Sequence, residues 1–405
     1  MKKLQLHWQI LIALILAIFF GIYLKDYIGY VSWMGDIFLR ALKMIIIPLI
    51  LSSIISGITN IGNAENIGRL GLKTIIYYLS TSTFAILTGL VLVNIFKPGV
   101  GADLKLGMEV DLEVGSESLG ETLIRIIPDN IFTSFSNNGQ MLSVIFFAML
   151  FGFFITQVND KPKKLLTDFF NAIFDVMMKL TMFIIKFTPI GIFGLVAEKV
   201  AQQDDLLALM QSMGLYMAVV LIALAIHALI TLPLLARFIG KVNPLKQFKS
   251  MRTPLITAFS TSSSSATLPL TMQAIENNAG VSNKISSFTL PLGATINMDG
   301  TALYECVAVI FIAQAYGYDL SVVQQIIVVV TALLASIGAA GIPMAGLVMI
   351  TIILTAVGLP LEGVGLILAV DRILDMFRTT VNVWSDSCGA AIIANSEGEK
   401  LKVKV

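Results

Sequence analysis

A succession of apolar runs constrains this chain more than any other feature. After a first run at 10–24, further runs near 36–61, 70–96, 139–158, 165–196 and 207–236 are each long enough to cross the roughly 30 Å of a bilayer's hydrocarbon core. A water-facing surface would also need charge. The sequence has 26 acidic and 27 basic residues, 13% of 405, against about a quarter in an average soluble domain. The reading is a polytopic membrane protein of all-α class. A net charge of +1 leaves no concentrated basic surface, so no nucleic acid partner is expected. Cys306 and Cys388 sit in apolar surroundings and read as reduced packing residues. Two histidines, His7 and His227, supply neither a histidine-rich metal centre nor the usual hydrolytic triad.

Lys2 and Lys3 before the first run resemble the start of a secretory signal. No small-residue cleavage site precedes Lys25 and Asp26, so the run is expected to stay as a first membrane helix. With one crossing per run, Arg69 and Lys73, then Lys161, Lys163 and Lys164, then Arg237, Lys241, Lys246, Lys249 and Arg252 fall on the side of the N-terminus. The excess of basic residues predicts that this side is cytoplasmic. Compact loops fit a prokaryotic inner membrane. The stretch from about 98 to 130, with Asp103, Glu109, Asp111, Glu113 and Glu117, reads as a loop with short membrane-entering pieces.

After residue 252 the apolar segments become interrupted at their centres. Segment 253–275 carries a serine run at 260–265 and is closed by Pro269; 285–313 carries Asn297, Asp299 and Thr301; 328–354 carries Ser336, Gly338, Gly341 and Pro343; 364–395 carries charges. Unwound backbone at membrane depth survives only beside protein or water, so the paired interruptions predict re-entrant hairpins lining a binding site. Half-helices starting after the serine run and after the break at 341–343 would aim N–H groups and positive dipole ends at an anionic substrate.

In the last segment Asp371, Asp375, Arg378, Asn382 and Asp386 follow one another at intervals of four, three, four and four. At about 100° per residue they fall within an arc of roughly 80°. Each charge at the bilayer centre costs roughly 2.5 to 3.5 kcal/mol, so the stripe must face partners, water or ligand. The plainer explanation is an ion-pair ladder, Asp375 with Arg378 and Asp371 with Arg372. Asp386, however, has no basic residue one turn away, and an unpaired buried carboxylate needs a cation. Asp299, Asp386, Asn297, Asn382, Thr295 and Thr301 offer oxygen only, which suits alkali or alkaline-earth ions. A monovalent ion suits a carrier that must release it; sodium is the first choice and a proton the second.

At these residues the sequence resembles the dicarboxylate/amino acid:cation symporter family. The resemblance spans nearly the whole chain, through FLRALKM at 38–44 and TPIGIF at 188–193. It is most specific in SSSSATLP at 262–269, LPLGATINMDGTAL at 290–303, ASIGAAGIP at 335–343 and DRILDMFRTTVNVWSD at 371–386. It implies eight transmembrane helices plus two re-entrant helical hairpins, a homotrimer and an elevator mechanism. The scaffold would be 1–66 (helices 1 and 2) and 100–204 (helices 4 and 5). The transport domain would be helix 3 at 67–99 together with 205–405 (helix 6, hairpin 1, helix 7, hairpin 2, helix 8).

Carried over motif by motif, the resemblance implies that Asp375 binds the substrate's amino group and Arg378 its side-chain carboxylate. Thr379, Asn382, Thr301 and Ser264 would add hydrogen bonds, Gly341 and Ile342 would close over the substrate, and Gly346 would act as a hinge. One sodium ion would take Gly293, Asn297, Asn382 and Asp386, and a second Thr295, Ser336 and Ile337. A third would take Tyr78, Thr81, Ser82, Asn297 and Asp299, the helix 3 part lying in YYLSTS at 77–82. Family members without an amino group on the substrate usually lack an Asp like Asp375, and several proton-coupled ones have Asn at the place of Asp386. Both aspartates are present, as is Arg378, so the resemblance implies sodium-coupled import of aspartate or glutamate.

Two departures are notable. Archaeal relatives carry an arginine where Ser262 stands, and animal relatives one where Met376 stands; neither is here, and Arg372 matches neither place. The local charge beside Asp375 changes by one unit, which keeps open a same-fold carrier of neutral amino acids or other small carboxylates, proton-coupled or not. Trp384 is bulky where many relatives have smaller residues. An intramembrane aspartyl enzyme using Asp299 and Asp386 is the alternative of another class, but the surrounding Asn, Thr and Ser oxygens suit ions better than a shared proton. A pure ion channel fits hinged hairpins and a single charged face less well than an occluding carrier.

Overall fold

A computed structural model of the chain describes residues 6–62, 68–102, 124, 127–136, 141–202, 206–338 and 345–404. Among them the regular structure is helical, with one isolated β-bridge, Val242 to Lys404. The α-helices are α1 (Leu6–Tyr23), α2 (Ser32–Gly62), α3 (Gly68–Phe96), α4 (Ile131–Ser136), α5 (Met141–Gln157), α6 (Asp160–Ile185), α7 (Thr188–Gln202), α8 (Leu206–Ile226), α9 (Leu232–Phe238), α10 (Pro244–Ser250), α11 (Arg252–Thr261), α12 (Ser264–Ala274), α13 (Asn283–Ile296), α14 (Asp299–Ala315), α15 (Val322–Gly338), α16 (Ala345–Ala356) and α17 (Val364–Ser396).

Among the described residues four helices are long and apolar enough to cross a membrane: Ser32–Thr59, Arg69–Phe96, Leu207–Phe238 and Asn283–Ala315. A bent pair, Asp160–Ile185 with Thr188–Ala201, makes a fifth if counted as one crossing. The expected single run at 165–196 is thus broken by 53°, immediately before Pro189, whose missing N–H and fixed φ favour a fresh helix start. Shorter apolar helices, Trp8–Tyr23, Ser143–Gln157, Val322–Ser336 and Gly346–Ala356, fall below that length. Large apolar side chains point outward along the spans, Leu72, Ile76, Leu87, Val91 and Ile95 on α3 among them. Lipid, not water, accommodates such a face.

The helices pack in two sets. α1 lies on α7, and α2 on α5, α6 and α7; α3 lies on α14 and α8, and α17 on α14, α11 and α13. α14 is the centre of the second set, buried along nearly its whole length. Where the sets meet, Ile50, Ile54 and Ile145 face Leu334, Met349 and Ile352, an apolar seam.

Both expected interruptions within the described residues are real. α11 and α12 form a tight hairpin whose turn holds Ser262 at φ 51°, in the left-handed region. The second half-helix starts at Ser264, inside the serine run instead of after it, because the Ser263 hydroxyl accepts from the Ala266 N–H and caps it. Pro269 lies within α12 and closes nothing. The second hairpin, α15 and α16, packs as a pair; its tip, with Gly341 and Ile342, lies outside the described residues. Between α13 and α14, Asn297 and Met298 leave helical geometry, so the segment is two half-helices meeting at Asp299.

Candidate functional site

The break between α13 and α14 faces the charged stripe of α17, and the site is made where they meet. Gly300 permits this, since a Cβ there would lie 2.6 Å from Arg378 O. The Asn382 carboxamide fastens the junction: Oδ1 accepts from the Gly300 N–H at 2.8 Å and Nδ2 donates to Thr301 Oγ1 at 3.1 Å. Ser264, Thr301, Asp375, Thr379 and Asn382 are all buried.

Arg378 is completely buried. Its Nη2 donates to Asp375 Oδ1 at 2.7 Å, Nη1 lies 2.9 Å from Asp371 Oδ1, and the guanidinium carbon stands 3.8 Å from the centre of the Tyr304 ring. Tyr304 Oη donates to Asp371 Oδ1 at 2.7 Å. The ladder expected from spacing is therefore partly present but differently paired: Asp371 takes Arg378, not Arg372, which lies 3.7 Å from Asp375 Oδ2. Arg378 can reach both aspartates because they lie on its own face at i−3 and i−7. Its Nε and Nη1, and Asp371 Oδ2, make no hydrogen bond among the described residues. A guanidinium held in this way presents N–H donors to an incoming carboxylate. Gly346, at the start of α16, completes the enclosure, since a Cβ there would lie 3.3 Å from Arg378 Nη1 and Thr301 Cγ2.

A second cluster gathers around Asp299. Ser82 Oγ donates to Oδ1 at 2.7 Å, and Ser385 Oγ donates to Oδ2 at 2.6 Å. His227 Nε2 lies 3.0 Å from Oδ2. Asn297 Nδ2 donates to Asp386 Oδ1 at 2.9 Å and to Ser385 Oγ at 3.0 Å, while Thr81 Oγ1 donates to Asn297 Oδ1 at 3.3 Å. Tyr78 Oη donates to Thr289 O at 2.7 Å. A Cβ at Gly293 would collide with Asp386 Oδ1 and stand 2.7 Å from Tyr78 Oη, so only glycine admits this approach.

Tyr78, Thr81, Ser82, Asn297 and Asp299 are thereby gathered, as are Gly293, Asn297 and Asp386. The pair Thr295 and Ser336 is not joined: each hydroxyl bonds its own helix, to Leu292 O at 3.0 Å and Leu333 O at 2.8 Å, and Thr295 is exposed. Ile337 is in the same last turn of α15 as Ser336. Among the described residues no three His, Cys, Asp or Glu side chains converge on one point. The converging atoms are hydroxyl, amide and carboxylate oxygens, the donor set of a hard cation.

Reading from sequence missed His227, Ser385, Tyr304 and Glu305. His227 stood in a 30-residue apolar run and Glu305 in the apolar half of α14, and an ionisable group at such depth is itself the signal. Neither Glu305 oxygen has a partner among the described residues.

Known proteins resemble the chain over nearly its whole length. The family described as the sodium:dicarboxylate symporter family matches residues 6–396. Excitatory amino acid transporter 3 of Mus musculus is 37% identical over 462 aligned residues, covering 99% of this chain and 88% of that protein. The proton/sodium-glutamate symport protein of Geobacillus stearothermophilus is 38% identical, covering 98% and 96%. The proton/glutamate-aspartate symporter of Escherichia coli (strain K12) is 36% identical, covering 98% and 93%.

Proposed function

The chain belongs to the sodium:dicarboxylate symporter family, and from that premise we propose that it is a sodium-coupled secondary symporter importing acidic amino acids, aspartate or glutamate. The observation that carries the reading is Arg378, buried between Asp371 and Asp375 with N–H donors still unmatched. Buried charges left unmatched are costly, and a zwitterion with a side-chain carboxylate matches both signs. Its amino group goes to Asp375 and its distal carboxylate to Arg378, with Thr379, Asn382, Thr301 and Ser264 as further partners. Gly341 and Ile342 at the second tip close over it, and Gly346 serves as the hinge.

Sodium ions occupy the oxygen sets of Gly293, Asn297, Asn382 and Asp386, of Tyr78, Thr81, Ser82, Asn297 and Asp299, and of Thr295, Ser336 and Ile337. Transport follows an elevator motion in a homotrimer of eight-span protomers, each with two re-entrant hairpins. Residues 1–66 and 100–204 form the scaffold, and 67–99 with 205–405 form the moving domain. The apolar seam of Ile50, Ile54 and Ile145 against Leu334, Met349 and Ile352 supports this, because apolar surfaces hold one another without directional bonds. The protein sits in the plasma membrane, the bacterial inner membrane, with its N-terminus cytoplasmic.

Proton coupling, with or in place of sodium, is a second reading favoured by Glu305. A buried carboxyl without a partner is expensive as an anion, so a proton travelling with the substrate has a place there, and two of the relatives are named proton symporters. Uptake into proteoliposomes under imposed sodium, proton or no gradient, competed by acidic and neutral amino acids, decides between them. Accumulation of aspartate or glutamate with sodium alone is expected. Uptake driven by the proton gradient alone, or none under any gradient, overturns sodium coupling.

A further inference from the structure

Between α8 and α9 the helix does not run on in α-register. His227–Thr231 form a π turn, in which the Leu232 N–H bonds His227 O and so is withdrawn from Ala228 O. The next residue is Pro233, which has no N–H. Ala228 O is thus left without a donor from its own helix. The Trp384 indole N–H, on α17, donates to that carbonyl at 3.0 Å, and the ring packs edge-on against Phe248 of α10. The bulky residue at 384 fills a need that the π turn creates.

π turns inside helices are frequent at functional positions. This one turns His227 toward the break between α13 and α14, where its Nε2 lies 3.0 Å from Asp299 Oδ2 with both side chains fully buried. The other ring nitrogen, Nδ1, has no partner among the described residues. Among those residues the ring is held through Nε2 alone, by Asp299. Its Oδ2 is tied by His227 and Ser385, while Oδ1 faces Ser82 on α3.

We infer that His227 is a positioning residue for the coupling-ion site: its Nε2–H pins Asp299 Oδ2 so that Oδ1 is turned toward Ser82 on α3, and Trp384 holds the π turn that aims the ring. The inference rests on the sodium-coupled reading above. His227 itself contacts neither ion nor substrate. Outer partners of this kind, which orient a ligating carboxylate, typically alter metal affinity by about 10- to 100-fold when removed.

The test is a sodium titration of the full chain, read both as thermal stabilisation without substrate and as uptake into vesicles. It compares wild type with His227→Leu, His227→Gln and Trp384→Phe. In His227→Leu the sodium concentration for half-maximal effect is expected to rise about 10-fold or more, with the substrate KM at saturating sodium unchanged. The glutamine variant, whose amide N–H can take the place of Nε2–H, restores most of the response. Trp384→Phe keeps the contact with Phe248, loses the donor, and shifts sodium dependence in the same direction by less; it carries the test where the leucine variant fails to insert. An unchanged sodium titration in an inserted leucine or phenylalanine variant, beside a wild type that responds to sodium, overturns the inference alone. A wild type whose stability and uptake both ignore sodium overturns the sodium-coupled reading and the inference with it.

Discussion

Two buried polar clusters share the junction of α13, α14 and α17, and they are finished differently. Around Asp299 both carboxylate oxygens are engaged by donors from three other elements, Ser82, Ser385 and His227. Around Arg378 the charges are paired within a single helix, and N–H donors and a carboxylate oxygen remain unmatched. A small cation is best served by oxygens already held in place. An anionic group is best served by donors that are held but not consumed. One cluster therefore reads as a prearranged ion site, and the other as a site whose ligand supplies the missing partners.

Removing the guanidinium is the severest way to break that comparison. Arg378→Ala should leave protein in the membrane but reduce acidic amino acid uptake roughly 30-fold or more, from a loss of about 2–5 kcal/mol in buried charge pairing. Uptake of aspartate and glutamate unchanged from wild type would remove Arg378 from the substrate site. Asp386→Asn probes the other cluster, because the amide keeps the shape and loses the charge. The sodium concentration for half-maximal uptake should rise by about 10-fold, and a superimposable sodium curve would count against an ion at Asp386. Its effect on acidic-versus-neutral selectivity should be far smaller than that of Arg378→Ala.

The smallest effect is expected from a carboxylate outside both clusters that pairs with two basic residues. Glu397, just past α17, bonds Arg69 at 2.7 Å and Lys73 at 2.6 Å. Hydrogen bonds from Arg69, then from Lys73, hold its carboxyl down from the usual 4.5 to about 2. A carboxylate lowered on folding stabilises above its unfolded value and loses that contribution as pH falls through its folded one. The melting temperature of Glu397→Gln should accordingly lie slightly below wild type at neutral pH, and the gap should close between about pH 4.5 and 2. A gap that widens on acidification would refute the pairing.

Much of the candidate site is legible along single segments. The α17 stripe follows from intervals of three and four, and the break at Asn297 and Met298 from polar residues within an apolar run. Gly293 is explained only by what comes across from α17 and α3, Asp386 and Tyr78. Chain proximity offers Arg372 as a partner for Asp371, yet Asp371 pairs with Arg378, and Tyr304 supplies the ring that covers the guanidinium. The bend before Pro189 was hidden because both halves are apolar, and hydrophobicity carries no sign of direction.

Membrane class, the interrupted helices and the identity of the charged face follow from the chain's order of residues, because hydrophobicity and helical period are properties of short stretches. The closing of Asp299 by a histidine 72 positions away, and the use of Trp384 to satisfy a carbonyl freed by Pro233, appear only once the helices are packed. Those contacts depend on which faces meet and at what height, and interhelical register is set by the whole core at once.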